Sequence, residues 1–156
     1  MRIIYDYIGR LIHFFSYPLI LIGVSGSSRT RVLVIQDRQL LLVRDWIGNG
    51  RWSFTGGGMH PNEDPIDCAI REVSEEVGIV LNKTDLKFIE TIDYVKKGVR
   101  STRYIYLARL ETKPAIQLQR YEIFDAKWFD ETSLANIKLA DDVKLIISKH
   151  NNLLKT

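Results

Sequence analysis

Between Asp64 and Gly78 the chain spells out a helix at both ends. Asp64 is placed to cap it, because a short side-chain oxygen can accept from the unpaired N–H groups of a first turn. Pro65 suits the first helical position, where its missing N–H costs nothing. Gly78 suits the residue just past the end, which most often turns left-handed. A helix is therefore expected over 65–77, with Ile66, Ala69, Ile70, Val73 and Val77 recurring on one apolar stripe that belongs against a core. Beside that stripe lie Glu72, Glu75 and Glu76, with Arg71 at its margin. Like charges at these spacings repel by roughly 0.2–0.5 kcal/mol per pair, so something must offset them.

Upstream, Trp52-Ser53-Phe54 alternates bulky and small, as a short strand would, and runs into Thr55-Gly56-Gly57-Gly58. Consecutive glycines lose extra backbone entropy on folding, so they mark a sharp turn or a close approach. An acidic helix face alone is most simply a solvated face. Carboxylates packed one loop away from such a turn have a second reading: a divalent cation held by hard oxygen ligands, with glycine carbonyls able to complete the shell. Glu63, at the end of the loop, and Arg71 are placed to pair across the helix start, which would fix the loop against the helix.

The flanking segments read as strands. Residues 32–36 and 40–43 are β-branched and apolar on both faces, joined by a tight turn at Asp37-Arg38. Leu86 to Tyr94 and Val99 to Leu110 form a second hairpin around Lys96-Lys97-Gly98, and Ala126-Lys127-Trp128-Phe129 is a further short strand leading into Glu131-Thr132-Ser133-Leu134. A last helix over about 139–150 carries Leu139, Val143, Ile146 and Ile147 on one face. The expected class is α/β, a mixed sheet between helices.

Gly57, Glu63, Arg71-Glu72-Val73, Glu75-Glu76 and Gly78-Ile79 match, at every defined position and without a gap, the Nudix box G-x5-E-x7-R-E-U-x-E-E-x-G-U, where U is aliphatic. By this box the chain resembles the Nudix hydrolases, whose fold is an α/β/α sandwich. The resemblance implies metal-dependent hydrolysis, with Mg²⁺ or Mn²⁺, of a nucleoside diphosphate linked to another moiety. Carried over by position, it implies Glu72, Glu75, Glu76, the Gly56 carbonyl and Glu63 as metal ligands. Glu72, Glu75 and Arg71 belong to the catalytic set, with Glu63 and Arg71 as a supporting ion pair. The general base in such enzymes comes from the box or from a later loop; Glu122 is the downstream candidate and Asp125 the second. Two departures stand out: Thr55 replaces the proline usual before the paired glycines, and His60 stands where an acid is common.

Two rival readings stand beside this one. A catalytically silent Nudix-like domain that binds a nucleotide or a partner would lose acids, and here the acids are intact. A membrane-associated structural protein would leave the box unexplained. Its support is the run Leu11 to Val24, uncharged but only 14 residues long, where a span needs about 20. His13 and Pro18 weaken it as a span. The readings left open for residues 1–28 are an apolar extension packed on the domain, a membrane-surface contact through 11–24, or a span or signal. Residues 29–156 form the expected hydrolase domain.

With 22 basic against 19 acidic residues the chain is only +3, and no basic cluster suggests nucleic-acid binding. One cysteine, Cys68, excludes an internal disulfide and fits a cytoplasmic setting; a small buried residue is its simplest role. The expected partner is a nucleotide-type small molecule. The proline that often marks ADP-ribose enzymes beyond the box is absent, the coenzyme A motif is only faintly echoed by Leu42-Val43-Arg44, and Tyr94 sits near where a tyrosine tends to mark dinucleoside polyphosphate hydrolases. Trp46, Trp52, Phe54 and Tyr104 offer rings for a base, though core packing is the plainer use of each. Oligomeric state is not legible.

Overall fold

The computed structural model describes residues 26–46, 50–96, 99–118, 122–150 and 152–154. The apolar run 11–24, with its three open readings, lies outside the described residues, as do Gly48, Asn49 and the turn residues Lys97 and Gly98. Five strands make one mixed sheet: β1 (Ser28–Gln36), β2 (Gln39–Asp45), β3 (Leu86–Lys96), β4 (Val99–Arg109) and β5 (Ile123–Phe129). Their order is β3-β4-β1-β2-β5, with β1 and β4 parallel and the other pairs antiparallel. The helices are α1 (Pro65–Val77), α2 (Glu131–Leu134) and α3 (Asp141–Lys149).

The two faces of the sheet are covered by different helices. Val32 and Val34 of β1, with Leu41 and Val43 of β2, join Ala69, Val73 and Val77 of α1 in one core. The alternate residues Leu33, Ile35, Leu40 and Leu42 join Val143 and Ile146 of α3 in another. Strict alternation along β1 and β2 thus fills both layers, and each fully buried Val or Leu contributes roughly 2 kcal/mol. This is the expected α/β/α sandwich.

Local signals set the boundaries of α1. The Asp64 side chain accepts from the Ile66 N–H at 3.0 Å, Pro65 opens the helix, and Gly78 closes it at φ +72°. The β1–β2 turn holds Asp37 and Arg38 both at positive φ (46° and 59°), a conformation that matches the twist of the strands it joins. Elsewhere the observed elements differ from expectation. The last helix starts at Asp141, two residues later, because the backbone of Trp52 holds the preceding segment: Trp52 N–H donates to the Lys138 carbonyl and Ala140 N–H to the Trp52 carbonyl, both at 2.8 Å.

The expected strand 52–54 forms only single bridges, and the reason positions the site. β1 pairs with β2 only through Val34, Ile35 and Gln36, so the two strands fork toward the start of β1. Residues 53–58 wedge into the fork. Ser53 exchanges both backbone hydrogen bonds with Val43 at 2.9 Å, while the Thr55 and Gly57 carbonyls accept from Val32 and Thr30 of β1 at 2.9 Å. The glycine segment therefore serves as a stand-in neighbour for the middle of the sheet.

Candidate active site

A cavity of about 390 Å³ opens where the wedge, the start of β1 and helix α1 meet. Its wall includes Arg29, Arg31, Asp45, Gly56, Gly57, Gly58, Glu72, Glu76 and Glu122. A Cβ on Gly57 would lie 2.4 Å from a carboxylate oxygen of Glu72, so that side chain would have to swing aside. Gly56 adopts φ +122°, and a Cβ on it would meet the Thr30 carbonyl oxygen at 2.4 Å. Gly56 is thus fixed by its approach to the backbone of β1, whereas Gly57 faces the movable end of a side chain.

Glu76 is buried, and one of its oxygens accepts from the Gly56 N–H at 3.0 Å. Loss of water pushes its carboxyl up to about 8, against the pull of that hydrogen bond and of Arg31, while Asp45 and Glu72 push it further. Asp45 reaches the cavity from the end of β2, and burial raises its carboxyl too, opposed by Arg31 and Arg29.

Arg71 organises the outer side of the helix. Its Nε donates to Glu63 at 2.7 Å, Nη1 to Glu72 at 2.7 Å and to Glu75 at 3.1 Å, and Nη2 to the Gly58 carbonyl at 3.1 Å. The Arg71 hydrogen bonds hold Glu63 down at about 2. Cys68 is fully buried beneath this network, touching Thr30 Oγ1 at 3.4 Å, and burial raises its thiol to about 11.

On the opposite side, Asp142 from the first turn of α3 accepts from Arg31 Nε at 3.3 Å and from Arg103 Nη1. Burial would raise its carboxyl, but Arg31 and Arg103 outweigh that and hold it below the ordinary value. Arg31 also donates through Nη1 to the Gly56 carbonyl. Arg103 stacks on Tyr94, 3.7 Å from the ring centroid.

The residues picked out from the sequence fall into two groups. Glu72, Glu76, Gly56 and Glu122 share the cavity wall. Glu63, Arg71 and Glu75 form the network beside it, with Glu75 about half exposed. Asp125 lies outside the cavity, paired with Arg44 at 3.9 Å and Lys127 at 3.3 Å. Trp52 and Phe54 are core residues, Trp52 edge-on to Phe129 at 4.8 Å. Sequence reasoning missed Arg29, Arg31, Asp45 and Asp142. The i, i+2 spacing of Arg29 and Arg31 puts both on one face of β1 and was the available signal; the arrival of Asp142 depends on long-range packing.

Among the described residues no three acidic, histidine or cysteine side chains already converge as a finished metal shell. The donor set nevertheless fits a hard divalent ion. Every acid on the wall offers oxygen, a carbonyl lies beside them, and buried Glu76 forms no ion pair among the described residues. Glu72, Glu76 and the Gly56 carbonyl would hold such an ion.

Residues 27–149 match the family profile described as NUDIX domain. The chain belongs to the Nudix hydrolase family. It is 32% identical over 125 residues to mouse nucleoside diphosphate-linked moiety X motif 6, covering 75% of this chain and 37% of that protein. To subunit 2 of the Arabidopsis thaliana mRNA-decapping enzyme it is 38% identical over 88 residues, 56% of this chain and 23% of that protein. The chain thus spans little more than a third of one relative and under a quarter of the other. Among solved structures, a C. elegans Ap4A hydrolase binary complex superposes with a TM-score of 0.68 at 23% identity, covering 83% of this chain and 98% of that one. A Francisella tularensis bifunctional NMN adenylyltransferase/ADP ribose pyrophosphatase, complexed with AMP and a Mn ion, gives 0.72 at 19% identity over 90% of this chain and 46% of its own.

Proposed function

We propose that the chain hydrolyses the diphosphate linkage of a nucleoside diphosphate joined to another moiety, using Mg²⁺ or Mn²⁺. The observation that carries this reading is the meeting of Glu72, Glu76, Glu122 and the Gly56 segment on one cavity wall. Glu72 and Glu76 would hold the metal, with the Gly56 carbonyl and Glu75 as further oxygen donors. A bound divalent ion supplies neutralisation of the diphosphate charge and a lower pKa for water. Glu122 accepts the proton of the attacking water; its backbone carbonyl, bonded by Trp46 N–H at 2.8 Å, ties that wall to the end of β2. Arg71 keeps the glutamates aimed, and Glu63 keeps Arg71 in place while remaining within reach of the metal shell.

The substrate is a nucleotide-type small molecule, and the names of the relatives and neighbours supply part of the panel. Dinucleoside polyphosphates, ADP-ribose, capped RNA fragments, nucleoside triphosphates, nucleotide sugars and NADH are incubated with Mg²⁺ or Mn²⁺, and released phosphate, pyrophosphate or mononucleotide is measured. Turnover of at least one that stops on chelation supports the reading; none across the panel, with metal bound, overturns it. The second reading, a catalytically silent nucleotide-binding domain, draws on the Arg71 ion pairs that engage Glu72 and Glu75, and metal-dependent turnover dismisses it.

The reading assigns hydrolysis to residues 29–156 of a cytoplasmic protein and keeps three roles for the apolar residues 1–28: an extension packed on the domain, a membrane-surface contact through 11–24, or a span or signal. Among the described residues no helix is long and apolar enough to cross a membrane. Cell fractionation with and without residues 1–28 tests the contact.

A further inference from the structure

Three arginines share one patch at the strand side of the cavity. Arg29 and Arg31 lie two apart on β1, and Arg103 on β4 is the direct register partner of Arg29. One carboxylate, Asp142, serves the patch, and it accepts from Arg31 and Arg103. The Arg29 side chain has no hydrogen bond or ion pair among the described residues, although it lines the cavity. The two acids whose charge reaches it, Glu72 and Asp45, form no ion pair with it. Glu72 is bound to Arg71 at 2.7 Å, and burial raises Asp45.

Backbone bonds, rather than an acid, hold Arg29 in place. Its strand position is bridged to Gly58 of the wedge, and on either side of it Thr30 N–H donates to the Gly57 carbonyl at 2.9 Å and Met59 N–H to the Ser28 carbonyl at 3.0 Å. Gly58 leaves the approach open, since even a Cβ there would come no closer than 3.8 Å to Arg29 Nη1. Burial, then the charges of Arg31 and Arg103, lower the Arg29 guanidinium to about 10. A cation kept in such a place and left unpaired costs folding energy that an incoming anion returns.

We propose that Arg29 is an anion-recognition residue, its guanidinium donating to non-bridging oxygens of a substrate phosphoryl group on the strand side of the cavity, with Arg31 and Arg103 held behind it by Asp142. Guanidinium suits this task because its planar donors can meet two phosphate oxygens together. The inference rests on the hydrolase reading for the identity of the anion as substrate, but the arginine patch itself does not.

The test is AMP binding to the full chain in the presence of Mn²⁺, by calorimetry, for the wild type, Arg29→Gln and Arg29→Lys, with Mn²⁺ binding alone measured in parallel. The Arg29 side chain has no partner among the described residues to orphan, so both variants are expected to melt no lower than the wild type; should the glutamine variant not fold, the lysine variant, which keeps the charge but loses the fork, carries the comparison. The expected result is AMP affinity at least tenfold weaker in Arg29→Gln, partly recovered in Arg29→Lys, with Mn²⁺ affinity within twofold of wild type. In turnover, KM rises at least tenfold while kcat falls less than threefold. AMP affinity within twofold of wild type, an equal loss of Mn²⁺ binding, or a wild type that does not bind AMP overturns the proposal. If AMP binding depends on Arg29 while no phosphoanhydride is hydrolysed, the hydrolase reading falls and the anion site stands; metal-dependent turnover indifferent to Arg29 has the opposite meaning.

Discussion

Two charge networks flank the cavity, and their stoichiometry is inverted. On the helix side one arginine, Arg71, answers three acids: Glu63, Glu72 and Glu75. On the strand side one acid, Asp142, answers two arginines, with Arg29 beside them unanswered. The first is partly exposed and sits on a surface helix; the second is buried between the sheet and α3. One wall is thus short of positive charge and the other short of negative charge. A cation and an anion together, such as the metal and diphosphate of the proposed reaction, would satisfy both deficits.

The largest expected effect comes from breaking the strand side. Asp142→Asn leaves two guanidinium groups without their carboxylate, and removing one partner of a buried charge pair costs about 3–5 kcal/mol. Denaturant unfolding reads it directly, and a loss below about 1 kcal/mol would mean that the arginines find other partners. Next comes the pH dependence of the metal-free protein. The Glu76 carboxyl is raised in the fold from 4.5 to about 8, so the folded state holds a proton there that the unfolded chain has released. Its contribution to stability is complete below pH 4.5 and is lost as pH rises toward 8, on the order of a few kcal/mol. Glu63, held at about 2 by Arg71, works the other way: its contribution is present above pH 4.5 and is lost as pH falls toward 2. Melting curves in chelator between pH 5 and 8 should decline, and Glu76→Gln should flatten that decline.

The same substitution lowers turnover by about two orders of magnitude, the scale of impaired charge stabilisation at a metal-assisted centre. Since glutamine still accepts from the Gly56 N–H, the fold is retained. A loss under threefold, with metal saturating, would take Glu76 out of the acid wall. The smallest effect is assigned to Glu75→Gln, about tenfold in turnover, because Glu75 faces Arg71 rather than the cavity. If it equals Glu76→Gln, the outer network itself opens to take up the ion.

Helix α1 was legible in the sequence because its signals are local: a cap, a proline and a glycine each act within one turn. The β1–β2 hairpin was legible for a similar reason. Trp52-Ser53-Phe54 misled because bulky–small alternation reports that one side is buried, not that a full ladder forms. The acids of the box were readable as a group. Their division between cavity and Arg71 was not, since neighbours on one helix face can take different partners. Arg29 and Arg31 carried a period-two signal, whereas Asp142 lies 111 residues from Arg31, and only the folded sheet and α3 bring them together.

The wedge 53–58 has a consequence for how this domain tolerates change in length. Shortening or lengthening it would strip the Thr30 and Val32 amides of their acceptors in the middle of the sheet, so a deletion there is felt first as unfolding. Any engineered change of specificity must then arrive through side chains on a frame of constant length.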